Sequence, residues 1–353
     1  MKQPPQAKPL AGVDIVELAG LAPVPMCGQI LADFGANVTL ISKIGAVTDQ
    51  RLLRHKDHVE LDFKNDFKEL RSRILKADVL LEPYRPGVLE AIGLDPVELL
   101  KENEKLIVLR LTGYGQTGQM SKVAGHDINY VAVSGLLPTI AGHNRTPYWP
   151  PANLLADFAG GALTAAFGVV SALFQRTNNG GKGVIIDASM VDGLAYLGSW
   201  ITAFRDIDIF WNMPYGAFTG DCPIYRTYET KDGKFMSVGA LEGKFNTKLF
   251  QILGIKTKKS TMLSEPEKLV AEIEKIFKTK TRDEWTDIFL LEEVCVSPVL
   301  DMDEVGELQH HKDRENFEKI DEKWVPKPAP RFYTAEEFAL LREADNEIKK
   351  SKL

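Results

Sequence analysis

The chain has 353 residues, with 43 Lys+Arg against 49 Asp+Glu and a formal charge of −6. At roughly 150 residues per domain this is about two domains, enough to bury a core without staples. No Lys/Arg block stands out, which argues against a nucleic-acid partner. Cys27, Cys222 and Cys295 are too few and too scattered for a disulfide framework or a zinc site, and they fit a reducing compartment.

The N-terminus, MKQPPQAKPLAG, lacks the apolar or Arg-rich pattern of a signal. Val13–Leu18, a Pro-containing turn (Leu21–Pro25), Met26–Phe34 and Val38–Ile41 read as strand, turn, helix, strand. The turn has two prolines and no G-x-G-x-x-G, which argues against a dinucleotide pyrophosphate on this helix. The pattern repeats: strand Val59–Phe63, helix Phe67–Leu75, strand Asp78–Leu81, helices Gly87–Ile92 and Val97–Glu102, strand Leu106–Leu111. Alternation of this kind predicts a mostly parallel sheet covered on both faces.

Asn153–Gln175 is apolar and rich in Gly and Ala, and reads as a buried helix ending at the turn Thr177–Gly181. Strand Val184–Asp187 and helix Met190–Phe204 follow. The longest apolar run, around Leu194–Phe204, is shorter than the ~20 residues a membrane span needs. Beyond Met213 the composition changes. Ile224–Thr230 alternates at period two, Lys231–Lys234 is a hairpin turn, and Phe235–Val238 returns. Phe245–Leu253, Glu265–Lys278 and Arg282–Leu290 read as amphipathic helices of a smaller α+β unit. Lys323–Pro330 reads as an extended linker and Ala335–Lys350 as a last helix. The chain closes on Ser351-Lys352-Leu353, the form of the peroxisomal receptor-read address; a random polar tail is the alternative.

Three places could carry chemistry. His126 and Asp127 fall at a helix start, where free backbone N–H groups suit a developing oxyanion. The bland alternative is a helix-capping Asp127 and a satisfied core imidazole. Asp157 interrupts an apolar helix, so it must be paired, protonated or functional, or else it merely favours the helix dipole. Glu242 follows a strand in Gly239–Gly243, a loop position where a carboxylate is usually just solvated.

These signals sit among longer matches. Asp33–Ala36, Leu61–Lys64, Ala77–Gly87, Gly113–Gly118, Ala124–Tyr130, Ala156–Gly161, Asp187–Gly193, Tyr228–Gly239 and Val296–Val299, in this order, resemble the alpha-methylacyl-CoA racemases of the class III CoA-transferase superfamily. The resemblance runs from about Gly12 to Pro330.

It implies an α/β fold with a Rossmann-like large domain, a small α+β domain and an interlocked homodimer. The large domain would span 1–200, completed by 328–353, with a linker at 201–221, a small domain at 222–310 and a second linker at 311–327. In the transferases the acidic position matching Asp157 is a nucleophile; the racemases add the histidine that is His126 here. A histidine opposite a carboxylate suits two-base proton exchange at one carbon, whereas a transferase needs only the nucleophile.

The implied substrate is a 2-methyl-branched acyl-CoA, inverted at carbon 2 through an enolate. By resemblance His126 serves the S substrate, Asp157 the R substrate, and Glu242 orients the histidine, from its own or the partner chain. Lys43, Leu61, Asp62, Phe63, Lys64, Tyr84 and Arg85 would hold CoA, and Gly125, Ile128, Asn129 and Tyr130 would flank the reacting end. No metal or separate cofactor is implied. The expected location is the peroxisome, through the import receptor, with mitochondrion or cytoplasm as alternatives. The 54–60 segment is less cationic than in many relatives, which implies either lower CoA affinity or compensation by other residues. A CoA-transferase using Asp157 and a non-catalytic acyl-CoA binder are the competing readings.

Overall fold

Six short runs pair side by side as parallel strands: β1 Asp14–Leu18, β2 Asn37–Lys43, β3 Lys56–Leu61, β4 Val79–Glu82, β5 Ile107–Thr112 and β6 Ile185–Ser189. Their order across the sheet is β3-β2-β1-β4-β5-β6, so the winding reverses between β1 and β4. The computed structural model describes residues 8–46, 49, 51–141, 148, 152–211, 213, 215–256 and 264–351, with side chains up to 343 except that of 141. β4 and β5 are buried along their whole length, as parallel strands covered on both faces must be. One core cluster joins Leu18, Ile41, Leu80 and Val108 of the sheet to Leu70 and Ile74 of the helix Phe67–Lys76.

The first helix spans Pro23–Asp33, three residues earlier than the sequence suggested. Pro23 lacks an N–H that the first turn could not satisfy anyway. Ala22 makes the sharp entry in left-handed backbone, at φ 48°.

Leu154–Asn178 is one continuous helix and, among the described residues, the longest apolar one, displacing the 194–204 run. It is long and apolar enough to cross a membrane by length and composition alone. Its first part, Leu154–Leu163, is wound as a π-helix. Its second part, Thr164–Asn178, is not the buried helix expected: Phe167 and Phe174 are 71% and 72% exposed. The helix expected over Met190–Phe204 is two, Met190–Leu197 and Ser199–Ala203.

The chain divides into two compact units. The first comprises Met1–Leu137, Pro150–Gly198 and Pro328–Leu353, and holds the parallel sheet. The second comprises Pro138–Trp149 and Ser199–Lys327. It is built on an antiparallel sheet of β7 Tyr225–Glu229, β8 Phe235–Gly239 and β9 Val296–Pro298. Helices Gly243–Leu253, Pro266–Phe277 and Arg282–Phe289 bury their apolar faces with it. Tyr228 stacks on Phe277 at 5.3 Å between ring centres.

The expected linkers are structured. Within 201–221 lie the helix Asp208–Trp211 and a cluster in which Trp200 meets Phe204, Phe210, Trp211 and Phe218. Within 311–327, the helix Gln309–Arg314 is followed by the hairpin of β10 Phe317–Ile320 and β11 Lys323–Pro326. Pro326, in the supposed extended linker, thus ends an edge strand, where a missing N–H costs no ladder bond.

Candidate active site

The carboxyl ends of the parallel strands carry almost every residue singled out from the sequence. In sheet order, β3 ends at Leu61 with Asp62, Phe63 and Lys64 beyond it, β2 ends at Lys43, and β4 leads to Tyr84 and Arg85. β5 ends at Thr112 and leads, through the glycine loop, to His126. Ligands of doubly wound sheets lie along this edge. At the β1–β4 reversal the Pro83 ring packs against the Gly20 backbone: a Cβ on Gly20 would stand 2.5 Å from Pro83 Cβ.

The outer edge offers a cationic and aromatic surface. Leu61 is buried and pairs in register with Lys43, whose ammonium lies 5.4 Å from the centre of the Phe63 ring. Lys64 is exposed. Asp62 is a turn former: its carboxylate accepts from the N–H groups of Lys64 (2.9 Å) and Asn65 (3.2 Å) and from Asn65 Nδ2 (2.7 Å). Those backbone donors hold it below the usual carboxylate range.

The 54–60 segment gives this surface little positive charge. The Lys56 side chain is fully buried, with Nζ 2.7 Å from Glu17 Oε2 and 2.7 Å from the Pro25 carbonyl. Arg54 pairs with Asp33. Burial drives the Glu17 carboxyl up to about 7, against the opposing pull of Lys56.

Tyr84 and Arg85 stand on a braced turn. Arg110 on β5 donates to Glu82 at 2.5 Å and to Glu90 at 2.7 Å, and Glu82 accepts the Tyr84 N–H at 2.8 Å. Burial and the nearby Glu82 push the half-buried Tyr84 phenol up to about 12, so it stays a hydrogen-bond donor. Arg85 is exposed.

His126 precedes the helix Asp127–Val133 in extended backbone, and its N–H donates to Asn129 Oδ1 at 3.0 Å. Its side chain is exposed, so it is not a core imidazole. Ile128 and Asn129 are exposed too, while Tyr130 is buried. Tyr130 donates to the Gly125 carbonyl at 2.5 Å and meets Tyr114 edge-on at 5.0 Å. A Cβ on Gly125 or Gly113 would stand 2.8 Å or 2.2 Å from this ring, so both positions need glycine. Among the described residues, the N–H groups of Asp127 and Ile128 donate to no backbone carbonyl outside regular structure.

Asp127 caps a helix, but not its own. Its buried Oδ2 accepts the N–H of Ala156 at 2.7 Å and of Asp157 at 3.0 Å, filling orphan donors at the start of the π-helix. The other end of that segment is pinned by small residues. A Cβ on Gly193 would lie 2.0 Å from the Gly160 carbonyl oxygen, so two glycines bring the backbones together.

Asp157 is half-buried. Its carboxyl is raised above the usual range, first by burial and then by the charge of Asp127, against the Asn153 hydrogen bond and His126. Asn153 Nδ2 donates to Asp157 Oδ2 at 3.0 Å. Sequence reasoning missed Asn153, although an Asn four residues before a carboxylate on one helix face was a readable signal. The Tyr130 phenol is raised by burial and by the neighbouring Tyr114 and Asp157, against the opposing pull of Arg85. Glu242 lies in the second unit, exposed, at the start of Gly243–Leu253.

Known proteins resemble this chain over most of its length. The model of CoA-transferase family III matches residues 10–344. A CaiB/baiF CoA-transferase family protein of Caenorhabditis elegans is 51% identical over 334 residues, 94% of this chain and 98% of its own. The alpha-methylacyl-CoA racemase of Mus musculus is 46% identical over 331 residues, covering 91% of this chain and 85% of its own. The crystal structure of a CAIB/BAIF family protein from Brucella suis superposes with a TM-score of 0.77 at 22% identity, over 96% of this chain and 100% of its own, which speaks to the fold. The parallel sheet, the residues along its carboxyl edge and these likenesses lead to one conclusion: the chain belongs to CoA-transferase family III.

Proposed function

We propose that the chain is an acyl-CoA racemase that inverts carbon 2 of 2-methyl-branched acyl-CoA thioesters. The carrying observation is that the Asp127 carboxylate ties the turn bearing His126 to the backbone of Asp157, joining two proton-carrying groups of different chemistry. A transferase has use for the carboxylate alone. Relatives named alpha-methylacyl-CoA racemase at 46% and 44% identity support the same reading.

The thioester carbonyl acidifies the hydrogen on carbon 2. For the S substrate the neutral His126 imidazole takes this proton. The electron pair moves onto the carbonyl oxygen as an enolate, held by N–H groups at the Asp127 turn. Protonated Asp157 then delivers a proton to the opposite face, leaving imidazolium and carboxylate. For the R substrate the roles exchange. A raised Asp157 carboxyl suits a group that must both hold and release a proton. The transfer is redox-neutral, so it calls for no electron carrier, and CoA serves as part of the substrate.

In this reading Lys43, Lys64 and Arg85 meet the phosphates, Leu61, Asp62 and Phe63 the adenine and ribose, and Tyr84 the pantetheine. Gly125, Ile128, Asn129 and Tyr130 shape the reacting end, and Glu242 orients His126 from a partner chain. The exposed Phe167 and Phe174 face suits burial in an interlocked homodimer. The Ser351-Lys352-Leu353 end suits delivery to the peroxisome by its import receptor; residues 352 and 353 lie outside the described residues.

The test is incubation of one 2-methylacyl-CoA epimer in deuterated water. Both epimers should form, labelled at carbon 2, and H126A and D157A should each abolish this. CoA transfer between acids that survives H126A but not D157A would instead show a transferase. Binding without exchange would show a carrier.

A further inference from the structure

Two acidic side chains meet at this site, and two-base chemistry consumes only one of them. Asp127 is buried, and its Oδ2 is fully engaged by the N–H groups of Ala156 and Asp157. Those donors lie about 30 residues along the chain, on another element. Asp127 is also covalently next to His126. Asn153, which begins the π-helix, does not cap it, because its side chain turns to Asp157 instead. Asp127 therefore supplies the cap from outside and fixes where the π-helix starts relative to the His126 turn.

We propose that Asp127 is a positioning residue for proton exchange: its carboxylate clamps the Asp157 backbone to the His126 turn and sets the placement of the two bases across carbon 2. The inference rests on the two-base reading and deepens it. The clamp touches no substrate atom in this arrangement; it acts through Asp157. Its negative charge beside Asp157 also favours the protonated form of that neighbour, which is the proton donor for one epimer.

Titratable groups lie on each element packed against the π-helix. Asp127 and Tyr130 lie on Asp127–Val133, with His126 just before it. The other packed elements carry Cys27 and Asp33, Arg176, Asp187, and Asp192 and Tyr196. Of all these, Asp127 and His126 act on the Asp157 charge.

Three variants of the full-length protein test this. D127A removes both acceptor bonds, and kcat for epimerisation should fall on the order of 100-fold, the loss typical of a reacting group misplaced by an ångström. KM for the acyl-CoA should stay within about twofold, because the CoA contacts are elsewhere. D127N keeps an acceptor oxygen but no charge. It should recover most of kcat while the acid limb of the R-epimer rate moves to lower pH. D127N should also lower the Asp157 carboxyl titration followed by carbon-13 NMR, with D157N assigning the resonance; this readout needs no turnover. A merely structural Asp127 would lower kcat only in proportion to the folded fraction and leave limb and titration in place. That outcome overturns the proposal, as does wild-type kcat in D127A. Absence of exchange in the wild type would fail the two-base reading instead, and the Asp157 titration would still decide the clamp.

Discussion

Consider Gly193→Ala, the addition of a single methyl. Its Cβ would lie 2.0 Å from the Gly160 carbonyl oxygen and 2.8 Å from its carbon, all backbone atoms of the π-helix. Carbon–oxygen contacts settle well beyond 3 Å, so one backbone must retreat by about 1 Å or more. Overpacking of this kind costs about 1–3 kcal/mol. For a unit of about 200 residues that corresponds to roughly 3–10 °C in melting temperature. The same retreat carries Asp157, three residues from Gly160, and a displacement of about 1 Å at a reacting group can cost on the order of 100-fold in rate.

Gly168 provides the internal control. It sits on the same continuous helix, but a Cβ there would meet only Ile186, at 3.6 Å. G168A should be neutral or more stable by up to about 1 kcal/mol, the helix-propensity gain of Ala over Gly. Thermal melts and the deuterium-exchange assay on both variants decide the matter. If G193A matches wild type in melting and exchange, or G168A proves as damaging, the close glycine contact does not position Asp157 and the reasoning fails.

Other outcomes follow from neighbouring contacts. N153A removes the hydrogen bond that lowers Asp157, so the acid limb of the R-epimer rate should move to higher pH, opposite to D127N; an unmoved pH–rate profile would refute the pairing. E82A breaks a buried ion pair and should destabilise the first unit by about 3–5 kcal/mol, measured by denaturant titration. E90A, on the partly exposed side of the same Arg110, should cost about 1 kcal/mol; equal losses would contradict the bracing role of Glu82. K43A should raise KM for acyl-CoA about tenfold at unchanged melting temperature, the effect of losing one charge-assisted contact. K56M should do the reverse, lowering stability with KM unchanged.

Much of the first unit was legible because parallel strands and their helices announce themselves locally. Phe67–Lys76 matched within a residue, since its buried Leu70 and Ile74 are spaced four apart and Ala77 turns extended. What escaped notice was settled by partners distant in sequence. Asp127 was readable as a cap, yet the helix it caps begins at Leu154. His126 shares a residue type with core imidazoles, and its exposure depends on how the turn after Gly125 is held by Tyr130. The helix Thr164–Asn178 has a small-residue side, which suggested burial, but Phe167 and Phe174 project from another side. The Lys323–Pro326 stretch looked like a linker because its edge-strand pairing with Phe317–Ile320 leaves no strong alternation. Glu242 is an exposed residue at the start of Gly243–Leu253, and its own stretch of sequence shows no more than that.

Lys56 has a kinetic corollary. A cation sealed against Glu17 contributes stability to the sheet but no field to the solvent. With Arg54 also neutralised by Asp33, the carboxyl edge faces an incoming thioester with few unopposed positive charges, on a chain whose formal charge is −6. Long-range attraction then does little to gather a polyanionic CoA, and in the proposed reading recognition falls to short-range contacts, those of Lys43, Phe63 and Tyr84 among them. Encounter should therefore be slow relative to electrostatically steered enzymes and nearly indifferent to ionic strength.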